Sequence, residues 1–143
     1  MQLTRDLVRL RSINPPGDEA ACSNLLAGIL EAGGFRVSKR DLSPGRTNIV
    51  ARLDGSSDVK PLCMTGHLDT VPLGTAPWQH DPLSAERDGD KIYGRGTSDM
   101  KSGVAAMVCA ALSIAGIPRR KAGLVLAVTA GEETHYVRHG HGA

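Results

Sequence analysis

The clearest strand signal in the 143-residue sequence is Gly123-Leu124-Val125-Leu126-Ala127-Val128-Thr129-Ala130. Its residues are apolar on both faces, which is typical of a central strand in a parallel sheet. A shorter apolar run, Pro61-Leu62-Cys63-Met64-Thr65, precedes it, and an alanine-rich helix that follows Asp99 lies between the two. Strands that alternate with amphipathic helices predict an α/β fold with a mixed, largely parallel sheet flanked by helices. Such sheets bind ligands beyond the carboxyl ends of their strands, so the residues after each strand are the first candidates for a site.

The N-terminal part of the sequence predicts two helices and a pair of strands. Apolar residues at helical spacing indicate a first helix that ends before Ile13-Asn14-Pro15-Pro16-Gly17. Asp18 is the expected N-cap of the second helix. Residues 35–39 and 48–53 then show the alternation and composition of strands. Residues 72–90 are rich in proline and predict a long irregular loop.

Composition points away from nucleic-acid and membrane partners. The net charge is only +2, and the 17 basic residues are scattered along the chain. The three cysteines, Cys22, Cys63 and Cys109, lie far apart in apolar runs, which suits reduced thiols in the core. The first residues are polar and contain no apolar signal or membrane-spanning run. A cytoplasmic protein is therefore expected.

The first polar motif is Gly66-His67-Leu68-Asp69-Thr70-Val71-Pro72, directly after a predicted strand. In extended backbone, His67 and Asp69 project to the same side of the chain. A metal-binding imidazole usually donates its far nitrogen to a carboxylate or a carbonyl, so Asp69 is a natural orienting partner. A surface pair is the alternative for His-x-Asp alone, and the tight turn around it favours the metal site.

The second motif is Gly94-Arg95-Gly96-Thr97-Ser98-Asp99-Met100-Lys101, which leads into the alanine-rich helix. On local pattern alone, Asp99 is an ordinary N-cap. A carboxylate in this place can also bridge two cations. Lys101 is then expected as a structural or charge-balancing residue near the helix start. The glycines do not complete a dinucleotide-binding pattern.

The third motif is Ala130-Gly131-Glu132-Glu133, at the exit of the apolar strand. Adjacent carboxylates repel one another, and a neighbouring cation would relieve that repulsion. One glutamate is expected to bind metal and the other to act as general base. A solvated acidic turn is the alternative.

Taken together, the motifs resemble the acetylornithine deacetylase, succinyl-diaminopimelate desuccinylase, aminoacylase and glutamate carboxypeptidase family of co-catalytic zinc hydrolases. The likeness rests on the order and spacing of residues 66–72, 93–103 and 129–134, with Trp78 and Pro82 between the first two. The resemblance implies a zinc exopeptidase-like catalytic domain. It also implies hydrolysis of the amide bond of N-acyl amino acids, of the deacetylase or desuccinylase type, or of short peptides.

The same resemblance implies a role for each site residue. His67 would bind one zinc ion, Asp99 would bridge both, and Glu133 would bind the other. Glu132 would be the general base, and Asp69 would orient His67. Two Zn²⁺ ions are expected per complete site, with Co²⁺ or Mn²⁺ as substitutes, and full-length relatives are expected to be homodimers. A cis peptide between Asp99 and Met100 is also implied.

The sequence departs from the family pattern after the third motif. Residues 1–134 match the N-terminal part of the catalytic domain, whereas residues 135–143 form a divergent tail. The family takes a further carboxylate and a final histidine from downstream sequence, and a catalytic zinc normally needs three protein ligands. The chain as written is therefore expected to be inactive, and a non-catalytic fragment or a partial metal-binding module is the alternative function. A frameshift, or His135, His139 or His141 acting as a surrogate ligand, are hypotheses for the tail.

Overall fold

A computed structural model describes residues 1–133 of the chain. The helices are α1 (Gln2–Arg9), α2 (Ala20–Ala32) and α3 (Ser102–Ala115). The strands are β1 (Arg36–Ser43), β2 (Arg46–Leu53), β3 (Leu62–His67), β4 (Glu86–Asp88), β5 (Lys91–Tyr93) and β6 (Leu124–Thr129). The predicted mixture of helices and strands is confirmed.

The main sheet has four strands in the order β1-β2-β6-β3. The pairs β1–β2 and β2–β6 are antiparallel, whereas β3 and β6 are parallel. The predicted mixed sheet is therefore confirmed, but parallel pairing is confined to one of the three strand pairs of this sheet. The reason is that β1 and β2 are joined by a tight turn, which forces an antiparallel hairpin.

The position of β6 explains its composition. It lies between β2 and β3, and four of its six side chains are buried. A strand covered on both faces reads as a continuous apolar run, as predicted for this segment. The core beneath it combines residues from α1, α2, α3 and the sheet, including Leu7, Leu26, Ile49, Val108 and Leu126.

Three local predictions are wrong. Of the three cysteines predicted to lie in the core, only Cys22 is buried, whereas Cys63 and Cys109 are exposed. The N-cap position of α2 is Glu19, not Asp18, and it makes no side-chain capping hydrogen bond. Residues 86–88 form strand β4, which pairs with β5 in a two-stranded hairpin within the region predicted as irregular loop. Three polar residues carry no apolar alternation, so the pattern gave no sign of this strand.

Helix α3 has the apolar composition of a core helix. Val104, Ala105, Val108 and Ala111 are buried against the rest of the domain. By length and mean hydropathy alone, Thr97–Ala115 would be able to cross a membrane, a test that core helices of soluble proteins also pass.

The register of β3 on β6 determines where the polar motifs emerge. His67 pairs with Thr129, and the Leu68 amide donates to the Thr129 carbonyl at 3.0 Å. Both strands run in the same direction, so the segments that follow them leave the sheet side by side. The motif at residues 66–72 therefore lies next to Gly131-Glu132-Glu133.

Candidate metal centre

His67 is the last residue of β3, and its side chain is buried. Its Nδ1 lies 3.1 Å from the Asp69 carbonyl oxygen and 3.4 Å from Asp69 Oδ1. Both are acceptors, so Nδ1 is placed to donate a proton to Asp69, as the far nitrogen of a metal-binding imidazole does. Nε2 lies 3.1 Å from Asp99 Oδ1 and 3.8 Å from Glu132 Oε2. Acceptor oxygens therefore face both ring nitrogens, and Nε2 is directed at two carboxylates.

Asp99 occupies a turn at Thr97–Lys101, before α3 begins at Ser102. Its backbone is not helical, with φ −127° and ψ 101°, so the alternative of an ordinary N-cap is wrong. The cis peptide expected between Asp99 and Met100 is present. The Met100 sulfur accepts a hydrogen bond from the His67 amide at 3.4 Å, which connects the turn to the end of β3. The Asp99 carboxylate is 75% exposed and available to a ligand.

Lys101 is the anchor of this turn and is 1% exposed. Its Nζ donates to the carbonyls of Leu7 and Leu10 at 2.9 and 2.7 Å, where α1 ends. Burial lowers the pKa of Lys101, an effect that nearby Cys22 and Glu19 oppose. Lys101 is thus a structural residue that binds the C-terminal carbonyls of α1.

Asp69 is fully buried, and its carboxylate joins several segments. Oδ1 accepts from the Glu132 amide at 3.1 Å, and Oδ2 accepts from the Glu133 amide at 2.9 Å. Asn14 Nδ2 donates to Oδ2 at 2.9 Å. Burial alone would raise the pKa of Asp69, but these hydrogen bonds and the nearby His67 outweigh it and lower the pKa. Asp69 therefore holds the glutamate backbone as well as facing His67.

The turn that carries Glu132 and Glu133 begins at Gly131, whose φ is +78°. A Cβ there would lie 2.9 Å from Arg46 Nη2, so both the conformation and the close approach favour glycine. Burial and the neighbouring carboxylates of Asp99 and Glu132 raise the pKa of Glu133, while His67 acts in the opposite direction. The charged form of Glu133 is thus disfavoured where no cation balances it.

The structure brings His67, Asp99 and Glu133 together. One potential ligand atom from each lies within 4.8 Å of the others. One imidazole nitrogen and two carboxylate oxygens are a donor set that Zn²⁺ binds. An imidazole nitrogen and two carboxylates of like charge converge here, and a divalent cation would balance that charge, so the residues present fit such an ion.

A cavity of about 310 Å³ opens beside the cluster and is lined partly by Asp99, Glu133 and Arg95. The Arg95 guanidinium lies 5.0 Å from the centroid of the Trp78 ring and donates to the Pro72 carbonyl at 2.9 Å. Trp78 lines a neighbouring cavity of about 430 Å³ that Arg95 also borders. Arg95 thus separates the candidate metal centre from an aromatic pocket.

Sequence reasoning missed Asn14. It was assigned to a proline-rich loop, and its contact with Asp69 spans 55 residues. An asparagine before a proline is an ordinary loop signal, so no local pattern indicated the contact. The hypotheses about the boundary at residue 134 and about His135, His139 and His141 lie outside the described residues.

A buried imidazole and several carboxylates near the carboxyl ends of strands form the kind of site found in metal-dependent hydrolases. Comparison with known proteins agrees with this class. The sequence pattern of peptidase family M20/M25/M40 matches residues 63–143, and the chain belongs to this family. The predicted resemblance is thereby confirmed.

Curated relatives include two succinyl-diaminopimelate desuccinylases. The one from Dinoroseobacter shibae is 38% identical over 132 residues, which cover 92% of this chain and 34% of the relative. The one from Gluconobacter oxydans is 42% identical over 111 residues, which cover 76% of this chain and 28% of the relative. The chain therefore spans about a third of the length of these hydrolytic enzymes.

Solved structures give the same fold. Human carnosine dipeptidase 1 superposes with a TM-score of 0.76 at 25% identity, over 95% of this chain and 32% of that one. The M20 family metallo-carboxypeptidase Sso-CP2 from Sulfolobus solfataricus superposes with a TM-score of 0.74 at 21% identity, over 89% of this chain and 29% of that one. The predicted zinc exopeptidase-like fold is confirmed.

Proposed function

We propose that the protein is a metal-dependent hydrolase that cleaves the amide bond of N-acyl amino acids, of the deacetylase or desuccinylase type, or of short peptides. The observation that carries the proposal is the convergence of His67, Asp99 and Glu133 on one point. The desuccinylase names of the relatives and the dipeptidase name of a structural neighbour support the substrate classes.

His67, Asp99 and Glu133 are the proposed metal ligands, with Asp99 between two ions where both are bound. Zn²⁺ is the proposed metal, and Co²⁺ or Mn²⁺ are expected to substitute. A bound divalent metal polarises a carbonyl and lowers the pKa of water to about 7. His67 Nδ1 lies 3.1 Å from the Asp69 carbonyl oxygen, and a proton donated there would leave Nε2 available as the ligand atom.

Glu132 is the proposed general base. Its side chain is exposed, and its Oε2 lies 3.8 Å from His67 Nε2, so it borders the point where the ligands meet. Its backbone amide donates to Asp69, and its side chain is 60% exposed. In this position it would take a proton from the attacking water and return it to the leaving amine.

The first experiment measures Zn²⁺ binding by the full chain in competition with a chromophoric chelator. His67→Ala and Glu133→Gln should each weaken binding, because each removes one of three ligands. His80→Ala is the matched control, since His80 Nδ1 also contacts a carboxylate, that of Glu86 at 3.0 Å, but outside the cluster. Equal affinity in His67→Ala and His80→Ala would reject the proposed centre.

The second experiment measures amine release from N-succinyl and N-acetyl amino acids and from dipeptides. Where the wild-type protein turns over substrate, Glu132→Gln should retain metal and lose activity by about 10²–10⁴-fold, which is the usual contribution of a general base. Loss of metal together with activity would instead assign Glu132 as a ligand. The expectation that the 143-residue chain alone is inactive stays a prediction, and the same assay with wild-type protein tests it.

A further inference from the structure

A short segment of the N-terminal loop lies against the residues that follow β3. Ile13 and Thr70 form an isolated parallel bridge. The Asn14 amide donates to the Thr70 carbonyl at 2.8 Å, and the Thr70 amide donates to the Ser12 carbonyl at 2.9 Å. Ser12 Oγ donates to the Leu68 carbonyl at 2.7 Å. The backbone on both sides of Asp69 is thereby fixed to residues 12–14.

The Asn14 side chain extends from this segment into the centre of the polar network. It is buried, and its Nδ2 donates to Asp69 Oδ2 at 2.9 Å. The same oxygen accepts from the Glu133 amide, while Oδ1 accepts from the Glu132 amide and lies 3.4 Å from His67 Nδ1. The Asp69 carboxylate therefore accepts hydrogen bonds from two separate parts of the chain, the segment at residues 12–14 and the turn that carries the glutamates.

The terminal torsion of an aspartate side chain is broad, so the carboxylate plane is set by its hydrogen-bond partners. Both glutamate amides belong to a turn that begins at a glycine. Asn14 belongs to a different segment, which is hydrogen-bonded to both neighbours of Asp69. The Asn14 side-chain amide therefore constrains the plane of the Asp69 carboxylate independently of the glutamate turn.

We propose that Asn14 is a positioning residue, which through Asp69 sets the orientation of His67 and of the turn that carries Glu132 and Glu133. The inference rests on the proposed function, because these are the residues proposed to hold the metal and move the proton. An amide suits the position, since a carboxylate there would place a second negative charge against Asp69. Loss of a residue that orients metal ligands typically lowers metal affinity 10–100-fold.

The test compares Asn14→Ala with Ser12→Ala in the full chain. Ser12→Ala removes the buried hydrogen bond from Ser12 Oγ to the Leu68 carbonyl, whereas Asn14→Ala removes the buried hydrogen bond from Asn14 Nδ2 to Asp69 Oδ2. Co²⁺ affinity and the Co²⁺ absorption spectrum report on the ligands. Amide hydrogen exchange of Glu132 and Glu133 in metal-free protein reports on the turn. Asn14→Ala should weaken Co²⁺ binding by about 10–100-fold, alter the spectrum and speed exchange of both amides. Ser12→Ala should change the spectrum and both exchange rates less than Asn14→Ala does.

A double-mutant cycle distinguishes positioning from general destabilisation. If Asn14 acts through Asp69, Asn14→Ala should have little further effect on Co²⁺ affinity in an Asp69→Ala background. Additive effects would overturn the proposal, as would unchanged affinity and amide exchange in Asn14→Ala. Should Asn14→Ala fail to fold, Asn14→Ser serves instead, because it keeps a small polar group that is too short to reach Asp69.

The outcome is separable from that of the proposed function. If wild-type protein binds no Co²⁺, the proposed metal centre is refuted. Amide exchange in the metal-free variants then decides the role of Asn14 alone: faster exchange in Asn14→Ala than in Ser12→Ala supports it, and equal exchange rejects it.

Discussion

Two ion pairs of equal length provide a sharp test of how burial controls stability in this domain. Arg46 Nη2 and Glu19 Oε1 are 3.0 Å apart, and the two side chains are 13% and 0% exposed. Arg36 Nη2 and Asp54 Oδ1 are also 3.0 Å apart, but these side chains are 71% and 72% exposed. Neutralising the acid in each pair changes one charge at the same distance in two different environments.

Glu19→Gln keeps the size of the side chain and removes its charge. It takes a bidentate carboxylate away from the Arg46 guanidinium, whose Nε also donates to Glu19 at 3.2 Å. Breaking a buried pair by removing one partner costs about 3–5 kcal/mol, because the remaining charge stays desolvated. Asp54→Asn should cost only about 0.2–1 kcal/mol, since water solvates both partners after the change.

Urea unfolding at neutral pH measures the difference. With a slope of about 2 kcal/mol per molar urea, a loss of 3 kcal/mol lowers the midpoint by about 1.5 M. Asp54→Asn should lower the midpoint by less than about 0.5 M. Raising the salt concentration should shrink the effect of Asp54→Asn further and leave that of Glu19→Gln nearly unchanged. Equal midpoints for the two variants would refute the argument from burial.

Three further outcomes are expected. Gly28→Ala should raise the free energy of unfolding by about 0.5–1 kcal/mol, because Gly28 lies within α2 and an added Cβ would have no atom within 4 Å; a melting temperature that does not rise would contradict this. Native protein should react with a thiol reagent at two exposed cysteines, Cys63 and Cys109. Cys22 should react only after unfolding, because it is buried and burial raises the pKa of its thiol. Peptide mapping of the labelled sites checks this. The pKa of Asp69 is lower in the folded state than its ordinary value of about 3.9. Its contribution to stability is therefore present above about pH 3.9 and is lost as the pH falls through the folded-state pKa. Unfolding curves from pH 6 to pH 2 should show a smaller acid-induced loss of stability for Asp69→Asn than for the wild type.

The parts of the fold that follow from local sequence were predictable. An uninterrupted apolar run identified β6 as an interior strand, and helical periodicity identified α3. His67 ends β3 and Glu133 lies in the turn after β6, so their proximity followed from the rule that strand ends carry sites. The resemblance to a known family added the cis peptide at Asp99, which no local pattern indicates.

The parts that depend on distant contacts were not predictable. Asp99 has the sequence context of an N-cap, and only its packing against β3 places it in a non-helical turn. Asn14 has the context of a loop, and its role depends on a partner far along the chain. The antiparallel pairing of β2 with β6 likewise has no signature within either strand. Cytoplasmic location and homodimers among full-length relatives stay predictions, since residues 1–133 bear on neither.

The hydrogen bonds of Lys101 have a practical consequence for anyone who trims or tags the chain. The ammonium group beside the Asp99 turn depends on carbonyls supplied by Leu7 and Leu10, at the opposite end of the sequence from Glu133. Deleting residues 1–10 would leave that charge desolvated with no acceptor from α1, and the damage would reach the metal ligands through the turn. An expression boundary placed after α1 would therefore remove the acceptors that hold the Asp99 turn in place.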